Sequence, residues 1–154
     1  MLMPHNPLIY DEPLPSAVLL MRAGRIATAM LEGKLSRIGI TAPYAAILTA
    51  LRDHGPKSAT DLCALTMRER ANMSVLLAKL RKIGYVEESE NRLDGRSHMM
   101  SLTDSGREIA EQCHQVTLEV SHLIDSFVQG ASETKADLHA ILRDFLAKFH
   151  SLYV

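Results

Sequence analysis

A chain of 154 residues, 47% of them hydrophobic, is close to the modal domain size and points to one compact core with extensions. A net charge of -1 makes the whole chain no obvious polyanion binder, and no apolar run approaches the ~20 residues of a membrane span. Cys63 and Cys113 lie far apart without CxxC spacing, and Leu19-Leu20-Met21 is stopped by Arg22 and Arg25 with no basic region before it, so a cytoplasmic protein with reduced thiols is expected.

Pro4, Pro7, Pro13 and Pro15 mark residues 1–15 as an extended arm. Ser16 then reads as the N-cap of a long first helix running to about Arg37, with Leu19, Ile26, Met30, Leu31, Leu35 and Ile38 on its apolar side. Thr41 followed by Pro43 opens a second helix that carries Ile47, Leu48 and Leu51 and stops at His54-Gly55-Pro56. Ser58 and Asp61 have capping-box spacing for a short third helix with Leu62 and Leu65.

Thr66 and Glu69 repeat that spacing and start a fourth helix, whose buried face is expected to be Met73, Leu76, Leu77, Leu80 and Ile83, with Gly84 as terminator. The opposite face shows Arg70, Asn72, Ser74, Lys79 and Arg81. Between Thr66 and Lys82 five cations stand against Glu69 alone, a local +4 that matters more than the total when the partner is a phosphate backbone.

Tyr85-Val86 and Met99-Met100-Ser101-Leu102 read as two strands of a hairpin, joined by the turn Asn91-Arg92-Leu93-Asp94-Gly95-Arg96 with Gly95 allowing a tight tip. Thr103 caps a fifth helix to about Gln129, ended by Gly130, with apolar Ile109, Val116, Val120, Leu123, Ile124 and Phe127. Ser132 caps a last helix with Leu138, Ile141, Leu142, Phe145, Leu146 and Phe149. Terminal helices with this much apolar surface need a partner, and a second copy of the chain is the simplest one.

The expected fold is mainly α, a winged helix-turn-helix with a small β-hairpin wing and long N- and C-terminal dimerisation helices. Residues 16–40 and 104–154 are assigned to dimerisation and 41–103 to the winged part of a single 16–154 domain. A helix N-terminus in the major groove can offer Arg70, Asn72 and Ser74 to base edges, since Arg suits guanine and Asn suits adenine through paired hydrogen bonds. Lys79, Arg81 and Lys82 lie further along, toward phosphate. In the wing Arg96 can enter a narrow minor groove, Asp94 can hold its guanidinium, and Arg92 adds a second positive charge. Each part also has a plain structural reading, as a solvated basic face, a common hairpin turn and a surface ion pair.

The segment from Ile40 to Arg107 resembles the MarR family of bacterial transcriptional regulators. The resemblance is carried by Leu80-Arg81-Lys82-Ile83-Gly84-Tyr85-Val86-Glu87, Asp94-Gly95-Arg96-Ser97 and Ser101-Leu102-Thr103-Asp104-Ser105-Gly106-Arg107. It implies a homodimer on double-stranded DNA, binding a pseudo-palindromic operator as repressor or activator. Control would come from a small molecule held between the dimerisation and DNA-binding parts, or in some members from thiol oxidation. The chain differs from the family's pattern where Thr66, Met67 and Arg68 replace leucine, glycine and an apolar residue. It differs again at Val75, a groove-facing position that is usually polar; Val75 there either meets a thymine methyl or packs inside.

The first, second and fifth helices are expected to line a pocket in which Arg22, Arg25, Tyr44 and His114 anchor a small anionic aromatic effector. No cofactor is expected. His114 and His122 with Glu111 or Glu119 lack tight metal-ligand spacing, and no nucleophile-base-acid set or phosphate loop points to an enzyme. The alternatives are a winged-helix interaction module without operator recognition, or a redox-responsive regulator acting through Cys63 or Cys113; both cysteines read as packed residues.

Overall fold

The computed structural model describes residues 14–91, 94–128 and 134–149, with side chains described outside 90–97 and 127–136. Its elements are α1 (Ser16–Leu35) with a 3-10 turn (Ser36–Ile38), α2 (Ala42–His54), β1 (Lys57–Ser58), α3 (Ala59–Thr66), α4 (Arg70–Ile83), β2 (Val86–Asn91), β3 (Asp94–Leu102), α5 (Asp104–Val128) and α6 (Thr134–Phe149). This is the mainly α, winged helix-turn-helix order: three short helices, a hairpin, and long helices on either side. The arm over 1–13, the tip residues Arg92 and Leu93, and the expected stops and caps at Gly130 and Ser132 lie outside the described residues.

One core ties the elements together. Leu35 at the end of α1, Ile47 and Leu48 of α2, Leu62 of α3, Met73 and Leu80 of α4 and Cys113 of α5 are all fully buried, so α1 to α5 each contribute apolar side chains to a shared interior. Ile83 is the exception to the expected stripe: it is 53% exposed, because α4 runs past the end of the core before Gly84 stops it.

Helix ends are set by both local and distant groups. Ser58 and Asp61 form the expected reciprocal capping box on α3. Ser16 is the first residue of α1 and not its cap, which is Pro15 without a side-chain bond. The expected box at Thr66 and Glu69 does not form, because α3 keeps Thr66 and its Oγ1 donates to the Leu62 carbonyl at 2.6 Å; α4 therefore starts at Arg70 with Glu69 as N-cap. At α2 the cap comes from another helix, the Ala42 N–H donating to the Glu32 carboxylate at 3.1 Å.

The sheet has order β1-β3-β2, with Val86 opposite Leu102 and Lys57 opposite Met100, all antiparallel. The two-residue β1 is a third strand that the hairpin reading lacked. Pairing runs out to Asn91 opposite Asp94 after a register shift at Glu90/Asn91, so Gly95 belongs to β3 and the turn lies between residues 91 and 94.

The base of the hairpin is closed by a compact set of bonds. The Thr103 N–H donates to the Tyr85 carbonyl at 3.1 Å, and the Thr103 hydroxyl donates to the Gly84 carbonyl at 2.6 Å while accepting from the Gly106 N–H at 3.0 Å. Ser105 Oγ donates to the same Gly84 carbonyl at 3.0 Å, and Arg107 Nη1 to the Leu102 carbonyl at 2.9 Å. Thr103 is thus both the N-cap of α5 and the clasp on the end of α4. Gly106 is required by this closeness: a Cβ there would run into the Tyr85 carbonyl, whose carbon would lie 2.9 Å away.

Gly106→Ala is expected to push α5 off the hairpin base and lower stability by about 3 kcal/mol, the upper end of overpacking costs. Thermal and urea unfolding measure it, and an unchanged midpoint would contradict the packing described.

Candidate nucleic-acid interface

The turn before α4 sets the helix on the surface. Met67 takes the left-handed conformation at φ 51°, the Met67 N–H donates to the Ala64 carbonyl at 3.4 Å, and the Arg68 N–H donates to the Cys63 carbonyl at 3.0 Å. A methionine thus takes a backbone conformation that favours glycine, at a cost of roughly 1 kcal/mol in backbone strain. Arg68 is half-buried, and its Nε is a buried donor without a partner among the described residues.

From that turn α4 runs outward with its stripe of Met73, Leu77 and Leu80 buried and Arg70, Asn72, Ser74, Lys79 and Lys82 exposed. The four residues expected from the sequence on this helix, Arg70, Asn72, Ser74 and Lys79, are therefore all exposed, Arg70 and Ser74 on one flank and Asn72 and Lys79 on the other. Ser74 is partly committed, its hydroxyl donating to the Arg70 carbonyl at 3.1 Å and leaving it an acceptor toward anything outside. Arg81 is committed too: its guanidinium pairs with Glu88 on β2, and the other Glu88 oxygen lies 3.4 Å from His98 Nδ1 on β3. It braces α4 to the wing instead of standing free beside Lys79. Val75 is 55% exposed, which decides between the two readings of that position: it does not pack inside.

In the wing, Asp94 and Arg96 belong to β3 by their backbone. The bond expected between their side chains, and the whole of Arg92, fall outside what is described. The proposed effector anchors are dispersed in environment. Arg22 and Arg25 are exposed on α1, Tyr44 is half-buried against the core on α2, and His114 is half-buried on α5. A cavity of about 340 Å³ opens elsewhere, between Leu51, Arg52 and Pro56 on one side and Ser101, Arg107 and Glu111 on the other, and none of those four anchors lines it.

Glu111 and Glu119, which share α5 with His114 and His122, are already engaged. Arg52 Nε donates to Glu111 at 2.7 Å and Lys34 donates to Glu119 at 2.6 Å, and hydrogen bonds from Gln115 and Arg52 hold Glu111, and from Lys34 hold Glu119, below the usual carboxylate range. Sequence reasoning missed the unpartnered Arg68, which nothing local signals.

Residues 38–97 match the model of the MarR family. The multiple antibiotic resistance protein MarR of Salmonella typhimurium is 27% identical over 107 residues, 70% of this chain and 74% of that protein. The HTH-type transcriptional repressor NicR of Pseudomonas putida is 27% identical over 114 residues, 74% of this chain and 72% of its own. The fold matches that of a mutant MarR from E. coli complexed with operator DNA, with TM-score 0.77 and 24% identity over 86% of this chain and 94% of that one.

The thiols yield a direct test. Cys113 is fully buried, and burial pushes its thiol up from 9.0 to about 11, so at neutral pH it carries almost no thiolate; Cys63 is half-buried. Because the folded thiol holds its proton above 9.0 while the unfolded one releases it, this group favours folding below 9.0 and loses that contribution as pH rises toward 11. Alkylation of the native protein at neutral pH, read by intact mass and peptide mapping, is expected to stop at one adduct on Cys63, with Cys113 reacting only in denaturant. Rapid native modification of Cys113 would revive redox control.

Proposed function

We propose, from the match of residues 38–97 to the MarR family model and the likeness to MarR and NicR, that the chain is a transcriptional regulator of that family, a homodimeric repressor that grips a pseudo-palindromic operator and is released by a small effector. The observation that carries this reading is the outer surface of α4, where Arg70, Lys79 and Lys82 are exposed with no carboxylate partner among the described residues. Cations held this way on a helix that fits the major groove are what a phosphate backbone attracts. The neighbouring complex of E. coli MarR with operator DNA supports the same docking for this fold, and the repressor named among the relatives supports the sign of regulation.

A second copy is favoured by the apolar faces left open in one chain. Ile26 of α1 and Ile141 of α6 are 56% and 66% exposed, and Phe145 and Phe149 lie on α6 with ring centroids 4.9 Å apart, tilted, and both residues exposed. Burying such faces against each other stabilises a dimer through loss of apolar area. In this reading residues 16–40 and 104–154 form the dimerisation part and 41–103 the DNA-binding part. Two copies of α4 then enter successive major grooves about 34 Å apart, and the wing's Arg92 and Arg96, oriented by Asp94, reach the minor groove.

The effector is proposed to be an anionic aromatic molecule held between α1, α2 and α5 by Arg22, Arg25, Tyr44 and His114. It binds better to a dimer whose recognition helices are wrongly spaced and so draws the population away from DNA.

Fluorescence anisotropy on the promoter beside its own gene, against random duplex, tests the reading. Affinity is expected to fall steeply as salt rises. Asn72→Ala and Arg70→Ala should each relax sequence preference by about tenfold, while Lys79→Ala weakens every sequence alike. Equal affinity for all duplexes at low salt would leave an interaction module in its place.

A further inference from the structure

We propose that the crest of α4 is an apolar reader of thymine: Ala71, Val75 and Ala78 form a strip that meets 5-methyl groups in the major groove, and Val75 sets a thymine preference within each half-site. The inference rests on the operator reading above.

The geometry follows from the buried stripe. Met73, Leu77 and Leu80 define the inward direction of α4. At about 100° per residue, Ala71, Val75, Ala78 and Lys82 fall in a strip roughly 60° wide on the opposite side. Arg70, Ser74 and Arg81 lie along one flank, and Asn72 and Lys79 along the other. All of these residues are exposed, and Val75, the bulkiest apolar one, projects from the middle of the strip with 55% of its surface open.

A helix seated in a groove about 12 Å wide meets the base edges with its crest first and the walls with its flanks. The flanks here carry Arg70 and Lys79, and Lys82 ends the crest, so the charge around Ala71, Val75 and Ala78 is complementary to phosphate while those three side chains have no hydrogen-bonding atom to offer. The flank groups nearest to it are partly spent: the Ser74 hydroxyl donates to the Arg70 carbonyl, and Arg81 pairs with Glu88.

Thymine is the one base that presents an apolar group in that groove. Val75 packed on the methyl gains burial. Val75 packed on the N4 amino group of cytosine or the N6 amino group of adenine strips that donor of water without replacing it, which is penalised. An exposed valine alone is ordinary on a protein surface; its place at the centre of a cation-flanked crest is what assigns it this part.

The test begins by selecting preferred duplexes from a random pool with the full chain, then replacing each half-site thymine by deoxyuridine, which removes the methyl and leaves the pairing and groove acceptors intact. At one symmetric pair of positions the wild-type protein should lose roughly fourfold in affinity per methyl. Val75→Ala, with an unchanged melting midpoint, should bind the thymine duplex more weakly and be indifferent to the replacement there. Equal wild-type affinity for thymine and deoxyuridine at every position would overturn the inference, as would a Val75→Ala protein as sensitive as wild type. If no sequence is selected at all, the operator reading falls first and takes the inference with it.

Discussion

Two carbonyl groups, those of Gly84 and Tyr85, sit where α4 ends and β2 begins, and the donors that reach them come from where β3 ends and α5 begins. The helix α4, the wing and the long helix α5 are therefore joined within a few ångströms. Each bond in the set is worth about 1 kcal/mol, but the closeness they enforce is worth more, since it leaves no room for a side chain at residue 106. The joint fixes α5 against helix and wing alike. Arg81, bridging α4 to Glu88 on β2, adds a second tie in the same sense.

The charges divide along the same line. Toward the expected dimerisation side, Lys34 and Arg52 are spent on Glu119 and Glu111, which hold α1 and α2 against α5. These are exposed pairs of less than about 1 kcal/mol each, better suited to fixing angles between helices than to stabilising the fold. On the outer side of α4, Arg70, Lys79 and Lys82 keep their charge unpaired among the described residues. A chain of net charge -1 can thus present a local cationic surface, because most of its carboxylates lie elsewhere along the chain.

Much of this was legible in the sequence wherever the determinant was local. The Ser58 and Asp61 box, the Gly84 stop, the Thr103 cap and the exposure of Arg70, Asn72, Ser74 and Lys79 all follow from spacings within one or two turns. What was misread depends on partners far along the chain or on competition between neighbours. Thr66 had the spacing of a cap, but the preceding helix claimed it; α2 is capped by Glu32 from ten residues away. The two residues of β1 are too few for any periodicity and exist only because β3 lies beside them. Val75 stood open between groove and interior, since periodicity locates a face and only the tertiary packing says how far it is covered.

Hydroxyl-radical and dimethyl sulfate footprinting of the chain on its selected operator tests the joined helix and wing most directly. The account predicts two major-groove protections about ten base pairs apart on one side of the duplex, each flanked by minor-groove protection at the same fixed offset. A single protected site, or major-groove protection without its minor-groove companion, would contradict it.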